Sequence, residues 1–190
     1  TGDWAAVEMA VHDVGTGDTP LVGAYSRFGW HHPGPVPFYA LALLFRLAPA
    51  DRALLVAAAV VNLAATLGCL RLVARWPRRP ARVALAGLAV FLGGLGPATL
   101  AEPWNPTIAL VPFALFLLLA VELTADRARW ALPLAVGVGS FVVQAHLGMA
   151  LPVAIVVAVA LVARHRSGHP VARRQWWAAL AVAAVLWAPP

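Results

Sequence analysis

Long apolar runs, separated by short polar connections, make up most of this chain after residue 35. A helix of roughly 20 apolar residues crosses a bilayer. The six longest runs cover residues 53–70, 83–101, 106–123, 130–144, 147–163 and 176–188. A shorter run, 36–48, contains Arg46 and favours an interfacial or re-entrant helix. The pattern therefore predicts an all-α, polytopic transmembrane helix bundle of about six spans in a single domain.

Residues 130–163 contain two of these runs in direct succession. As one helix they would extend about 51 Å, whereas the hydrocarbon core of a bilayer is roughly 30 Å thick. Gln144, His146 and Gly148 interrupt the stretch near its middle. We therefore expect a tight hairpin whose turn lies at residues 144–148.

Small and polar residues inside two other runs suggest helix contacts. Asn62 and Thr66 are four residues apart and share a helix face, so we expect them to pack against another helix. The glycine cluster Gly93-Gly94…Gly96 predicts close packing of helix 83–101 against a neighbour.

The basic residues give the bundle an orientation. All 14 are Arg, and eleven of them lie in the connections 71–82, 122–130 and 164–174. Arg and Lys are enriched in cytoplasmic loops, so these connections are expected inside. The chain is then a multi-pass plasma-membrane protein whose partner is the lipid bilayer. Orientation accounts for the net charge of +6, and no nucleic-acid partner is expected.

This orientation places residues 1–35 outside as an extracytoplasmic loop, with residues 36–190 forming the transmembrane bundle. Most acidic and histidine residues then share the outer face: Asp3, Glu8, Asp13, Asp18, Asp51, Glu102, His12, His31, His32 and His146. The sequence does not begin with Met and stops just after an apolar run, so we expect it to be a fragment of a longer protein.

An extracytoplasmic site constrains the chemistry. ATP and nucleotide sugars are absent there, so a transferase needs an activated group carried by a lipid. A sugar on a lipid phosphate already has a good leaving group, and the enzyme must chiefly supply a carboxylate base for the acceptor hydroxyl. Asp3 and Glu8 are the candidates, but on a helix they would lie about 140° apart. Asp3 is therefore expected to act alone.

The remaining candidate residues would bind the substrate. Cationic or hydrogen-bonding groups would contact the phosphate, and aromatic rings would pack against the sugar. The candidates for substrate binding are Glu8, Tyr25, Arg27, Trp30, His31, His32, Glu102, Trp104, Asn105, Gln144 and His146. This interpretation predicts that Asp3, His32, Asn105 and His146 converge on one cavity.

Several segments resemble a known family. Gly2-Asp3 begins the first loop, and His32-Pro33-Gly34-Pro35 precedes the apolar segment FYALALLFRLAP. The loop AEPWNP (101–106) and the segment QAHLGMALP (144–152) follow in order. Together they resemble the lipid-linked-sugar glycosyltransferases of the GT-C fold, and more narrowly the protein mannosyltransferase/aminoarabinose transferase superfamily and its actinobacterial membrane relatives.

The resemblance implies an inverting transfer of a sugar from a polyprenyl-phosphate donor to a glycan, lipid or protein acceptor. Asp3 takes the family's catalytic acidic position, and His32-Pro33 takes its His-Pro position. The sequence departs from the family at Trp4, where members with Asp-Glu have Glu, and at Gly34, which interrupts Pro-Pro. Gln144-Ala145-His146 also replaces a segment that contains Lys in the family. No cofactor is expected apart from the donor, and a metal ion is not supported.

Simpler interpretations stand beside these. Asp3 is either a base or a helix N-cap, and Glu102 and Asn105 either contact substrate or cap the turn before Pro106. Adjacent His31 and His32 are poorly placed to bind one metal ion. At the level of the whole protein, the alternatives are a transporter or flippase, with the outer groups lining a path, and a catalytically silent membrane scaffold.

Overall fold

The computed structural model describes residues 2–47, 52–125 and 128–188. Asp51 and Arg127, which the sequence places outside and inside respectively, lie beyond these ranges. The described residues form α-helices, one short 3-10 turn and no named strand, which confirms the all-α class. The helices are α1 Gly2–Asp13, α2 Val36–Phe45, α3 Ala53–Val73, α4 Arg78–Leu100, α5 Asn105–Ile108, α6 Leu110–Thr124, α7 Ala131–Ala145, α8 Ala150–Arg166 and α9 Arg173–Trp187.

Four helical stretches of the described chain are long and apolar enough to cross a membrane. They are Ala53–Val73, Arg78–Leu100, Asn105–Thr124 and Leu147–Arg166. Helices α7 and α9 have 15 residues each, which corresponds to a rise of about 22 Å against a hydrocarbon core of roughly 30 Å. Four membrane-length helices are therefore present, and the expected count of about six spans is not confirmed.

The segment expected as a plain extracytoplasmic loop contains helix α1. Val7 and Val11, one turn apart, are only 4% and 1% exposed, and they belong to the same core cluster as Phe38 and Leu41 of α2. Burial of this pair of valines stabilises the helix against the bundle, because each side chain contributes roughly 1.5–3 kcal/mol when it leaves water. The first loop is thus anchored at its beginning.

The short apolar run after this segment forms the short helix that its length predicts. Helix α2 has 10 residues and buries Pro37, Phe38, Leu41 and Ala42. Pro37 lies in the first turn, where a missing N–H leaves no helical hydrogen bond unmade. Its position at the membrane surface stays a prediction.

The expected break between α7 and α8 occurs at His146. This residue has extended backbone angles, φ −147° and ψ 108°, and the 3-10 turn Leu147–Met149 follows it. A Cβ added to Gly139 would lie 3.2 Å from Cγ1 of Val153. These two residues are seven positions before and after His146, so the chain reverses direction there and the hairpin is confirmed.

Helix α4 lies at the edge of the described bundle. None of its residues is buried, and Cβ atoms added at Gly93, Gly94 or Gly96 would meet nothing within 4 Å among the described residues. The expectation that these glycines permit close helix packing is therefore wrong here. Gly96 instead forms a kink, with φ 72° and ψ 165°, directly before Pro97.

A hydrogen bond from a buried side-chain amide connects α3 to the end of α4. Nδ2 of Asn62 donates a hydrogen bond of 2.9 Å to the carbonyl oxygen of Leu100, which confirms that Asn62 contacts another helix. The hydroxyl of Thr66 bonds instead within its own helix, to the carbonyl oxygen of Asn62 at 2.8 Å.

The three arginine-rich connections meet at one end of the bundle. Trp76 Nε1 donates to the Glu122 carboxylate, the Arg75 guanidinium lies 5.1 Å from the centre of the Trp130 ring, and Arg164 donates to the carbonyl oxygen of Leu123 at 3.1 Å. Helix α6 ends at these contacts, and α7 begins there and leads away from them. The grouping that the arginine pattern predicts is therefore present in the fold.

Candidate functional site

A cavity of about 530 Å³ lies at the opposite end of the bundle, where α6 begins and α7 ends. Its walls come from α1, the segment 20–32, α2, the residues before α6 and the turn after α7. The predicted site residues that line it are Asp3, Tyr25, Arg27, His31, His32, Trp104, Asn105 and His146. The four residues expected to converge, Asp3, His32, Asn105 and His146, are thus brought together.

Helix α1 separates the two candidate carboxylates. Asp3 faces the cavity together with Ala6, Val7 and Ala10, which follow it at the spacing of one helix face. Glu8 lies against a different, smaller cavity beside Met9 and His12. The angular separation expected from the sequence is therefore present, and Glu8 does not reach the candidate site. Asp3 lies in the first turn of α1 rather than before it.

The loop after α1 folds back on itself as a hairpin. Gly23 N–H donates to the carbonyl oxygen of His32, and His32 N–H to that of Ala24, each at 2.9 Å. Tyr25 and His31 face each other in an isolated antiparallel bridge. Gly29 completes the turn with φ 88°, a conformation that costs glycine little. The hairpin holds both histidines in defined positions.

Aromatic side chains surround the tip of this hairpin. The rings of Phe28 and Trp30 stack with centroids 5.4 Å apart, and the Arg27 guanidinium lies 5.0 Å from the Phe28 ring centre. Tyr25 meets the His31 ring edge-on at 4.9 Å. Arg27 and Tyr25 line the cavity, but Trp30 does not. Trp30 packs against Phe28, which lines the cavity although it is not among the predicted site residues.

His31 and His32 both line the cavity, but their rings have different hydrogen-bond partners. Nδ1 of His31 donates to the carbonyl oxygen of Gly23 at 3.0 Å, because a carbonyl can only accept. His31 therefore carries its proton on Nδ1.

His32 has the other tautomer. The backbone N–H of Leu147 donates to Nδ1 of His32 at 3.0 Å, so this nitrogen is an acceptor and a neutral ring carries its proton on Nε2. The Asn105 carboxamide lies against Nε2, with Nδ2 placed at 2.7 Å. The Asn105 N–H and the His32 Nε2–H are both donors and cannot bond to each other. Turning the amide by 180° exchanges its nitrogen and oxygen without changing its shape. Its oxygen therefore accepts from Nε2–H.

These contacts keep His32 uncharged. Its side chain is only 5% exposed, and burial lowers the pKa of the imidazole, with smaller contributions from His146 and His31. The His146 ring centre is 5.3 Å away, close enough for two positive charges to repel. Protonation of Nδ1 would also set a second donor against Leu147 N–H. The neutral form of His32 is therefore favoured in the cavity wall, where both ring nitrogens already have hydrogen-bond partners.

Asn105 is a part of this cluster and not a helix cap. It is the first residue of α5, whose N-cap is Trp104, and no side-chain capping hydrogen bond is formed there. Trp104 and Asn105 line the cavity, whereas Glu102 does not. Nδ1 of His146 is buried and has no hydrogen-bond partner among the described residues. The turn after α7 thus adds an unsatisfied acceptor or donor to the site.

Gln144 is a predicted substrate-binding residue, but its side chain bonds to the backbone of two other helices. Its side chain is 1% exposed; Oε1 accepts from Val36 N–H at 3.1 Å, and Nε2 donates to the carbonyl oxygen of Leu186 at 2.8 Å. Gln144 does not line the cavity. It connects the beginning of α2 and the end of α9 to α7.

Within the described residues there is no group of three or more His, Cys, Asp or Glu side chains placed to hold a metal ion. Comparisons of the sequence with protein-family models and curated proteins, and of the fold with solved structures, found no match.

Proposed function

We propose that this protein transfers a sugar from a polyprenyl-phosphate donor to an acceptor hydroxyl at the extracytoplasmic face, with inversion. One observation carries the proposal: Asp3 shares a cavity with Arg27 and Trp104, at the end of the bundle opposite the arginine-rich connections. A carboxylate, a cation and an aromatic ring are the groups that this reaction needs.

The proposed step is a single displacement. Asp3 accepts the proton of the acceptor hydroxyl, the hydroxyl oxygen attacks the anomeric carbon, and the bond from that carbon to the phosphate oxygen breaks. The electron pair leaves with the polyprenyl phosphate. Arg27 stabilises the charge on this phosphate, while Tyr25 and Trp104 pack against the sugar. Neutral His32 and Asn105 hold the wall behind them.

Transport is the alternative that the same outer groups allow. A permeation path needs polar groups at mid-membrane on several helices. In the described bundle, Ser140 Oγ accepts from Trp187 Nε1 at 3.0 Å, and both polar ends of Gln144 bond to the backbone. These buried polar groups join helices to one another, which favours transfer over transport.

The test uses membranes that contain the protein and labelled polyprenyl-phosphate sugars. Asp3→Asn should lower the rate of transfer roughly 100-fold or more, as loss of a general base does. Asp18→Asn, a change of the same type in an exposed turn, serves as the control for expression and folding. Glu8→Gln should also leave the rate nearly unchanged, because Glu8 lies outside the cavity.

Equal transfer by wild type and Asp3→Asn would remove Asp3 from the mechanism. If no labelled sugar is transferred by the wild-type protein while the tested donors are turned over by a reference enzyme, the proposed activity is wrong and a membrane scaffold is favoured.

A further inference from the structure

A second cavity lies at the arginine-rich end of the bundle, away from the candidate active site. It is an open groove of about 370 Å³ between α3, α6 and α7. Its lining is mostly apolar: Gly68, Leu72, Leu115, Leu119, Trp130, Leu134 and Val138. From Trp130 to Val138 the groove follows α7 for about 12 Å. Such a groove between membrane helices has the shape and polarity of a lipid chain.

Two arginines stand at the mouth of this groove. Arg71 lies in the last turn of α3 and Arg75 follows four residues later, so both can face the same side. Both line the groove and are exposed. Within the described residues neither guanidinium forms an ion pair. The positive end of the groove is therefore available to an anion.

Trp130 contacts one of these two cations. The Arg75 guanidinium lies 5.1 Å from its ring centre, a cation–π distance, and planar guanidinium groups bind phosphate through paired hydrogen bonds. An indole at the end of an apolar groove, next to arginine, is the arrangement found where membrane helices meet lipid headgroups.

We propose that this groove binds one anionic phospholipid, with its phosphate at Arg71 and Arg75 and an acyl chain along α7. A soluble phosphate compound would use the two arginines but not the apolar walls, and a zwitterionic lipid would use the walls but gain less from the charges. The groove combines both features, as basic pockets between membrane helices do when they bind acidic headgroups. The proposal is independent of the sugar-transfer activity and of the site that contains Asp3.

Native mass spectrometry of the detergent-solubilised protein tests the proposal, with phosphatidylglycerol and phosphatidylcholine as probes. Wild-type protein should retain phosphatidylglycerol in preference. Arg71→Gln combined with Arg75→Gln should weaken phosphatidylglycerol binding roughly 30-fold. Arg78→Gln combined with Arg79→Gln makes the same change in charge at exposed residues of α4 that do not line the groove, and should leave binding unchanged.

A third variant tests the apolar walls while keeping both arginines. Leu134 is 49% exposed in the groove, and Leu134→Trp should obstruct the acyl chain and weaken phosphatidylglycerol binding without affecting the binding of glycerol phosphate.

Equal loss of phosphatidylglycerol binding in both double variants would indicate general attraction to basic residues and overturn the proposal. Displacement of phosphatidylglycerol by an equal concentration of glycerol phosphate would overturn it as well. If Arg71→Gln with Arg75→Gln fails to fold by circular dichroism, Leu134→Trp decides alone.

Discussion

His31 and His32 are adjacent in sequence, but their rings carry their protons on different nitrogens. Gly23 selects the Nδ1–H form of His31, and Leu147 selects the Nε2–H form of His32. Neither choice is visible in the sequence, because the selecting groups are backbone atoms. The pair therefore contributes two hydrogen-bonding groups whose protons are fixed by different parts of the backbone.

The buried state of His32 predicts that acid destabilises the protein. The folded-state pKa is lowered below its ordinary value of 6.5, so in acid the unfolded chain binds more protons than the folded one. The stability that neutral His32 contributes is fully present above the pKa of the unfolded chain. It is lost as the pH falls through the folded-state pKa. We expect a lower melting temperature in detergent at pH 5 than at pH 7.

Replacing His32 measures how much of the acid-induced fall in melting temperature comes from this residue. His32→Gln should reduce the drop in melting temperature between pH 7 and pH 5, because glutamine does not titrate. His165→Gln changes an exposed histidine at the other end of the bundle and should leave the drop as it is. Identical pH dependence in wild type and His32→Gln would contradict the assignment.

At the scale of the elements, the segment between the hairpin and α2 depends on one glycine. A Cβ on Gly34 would overlap Oε1 and Cδ of Gln144. Gly34→Ala should therefore displace the buried amide from Val36 and Leu186, and lower the free energy of unfolding by roughly 1–3 kcal/mol. This contact explains why a residue without a side chain lies between Pro33 and Pro35. Denaturant unfolding in detergent measures the change.

A double-mutant cycle checks that cause. Gln144→Ala alone should also destabilise the protein, since it leaves buried backbone groups unpaired. In combination with Gly34→Ala the loss should be smaller than the sum of the two, because the overlapping amide is gone. Simple additivity would show that Gly34 acts through something else.

The kink in α4 predicts that Gly96 does not tolerate a side chain. At φ 72° and ψ 165°, Gly96 occupies a backbone region that is essentially confined to glycine. Gly96→Ala should cost roughly 1–3 kcal/mol of stability. Gly93→Ala and Gly94→Ala are matched controls in regular helix with open space around them, and should be neutral or stabilising by up to about 1 kcal/mol. Thermal unfolding would contradict the assignment if all three variants behaved alike.

The elements that the sequence predicts well are those with a local cause. Gln144 and Gly148 flank the break at His146, and the length of the apolar run sets the length of α2. The sequence allows a helix that contains Asp3 and Glu8, but its packing could not be predicted, because the burial of Val7 and Val11 depends on α2. The state of His32 could not be predicted, since its partners Asn105 and Leu147 are 73 and 115 residues away.

At the scale of the whole molecule, the fold has one end with the Asp3 cavity and another with the arginine-rich connections. The positive-inside tendency predicts that the first faces away from the cytoplasm. Single cysteines test this in a Cys69→Ala background. A membrane-impermeant maleimide on intact cells should label Asp18→Cys and not Arg79→Cys, both of which are exposed positions. Both should react after lysis, and the reverse pattern on intact cells would contradict the orientation.

The amide of Gln144 has a mechanical consequence. One side chain bonds to both Val36 and Leu186. If α9 slid along α7 by one helical turn, Gln144 would either lose its bond to Leu186 or move away from Val36 at the start of α2. Val36 is four residues after His32, whose ring forms part of the cavity wall. We therefore expect a displacement of the end of α9 to disturb the segment that leads into the cavity wall, although α9 does not line the cavity.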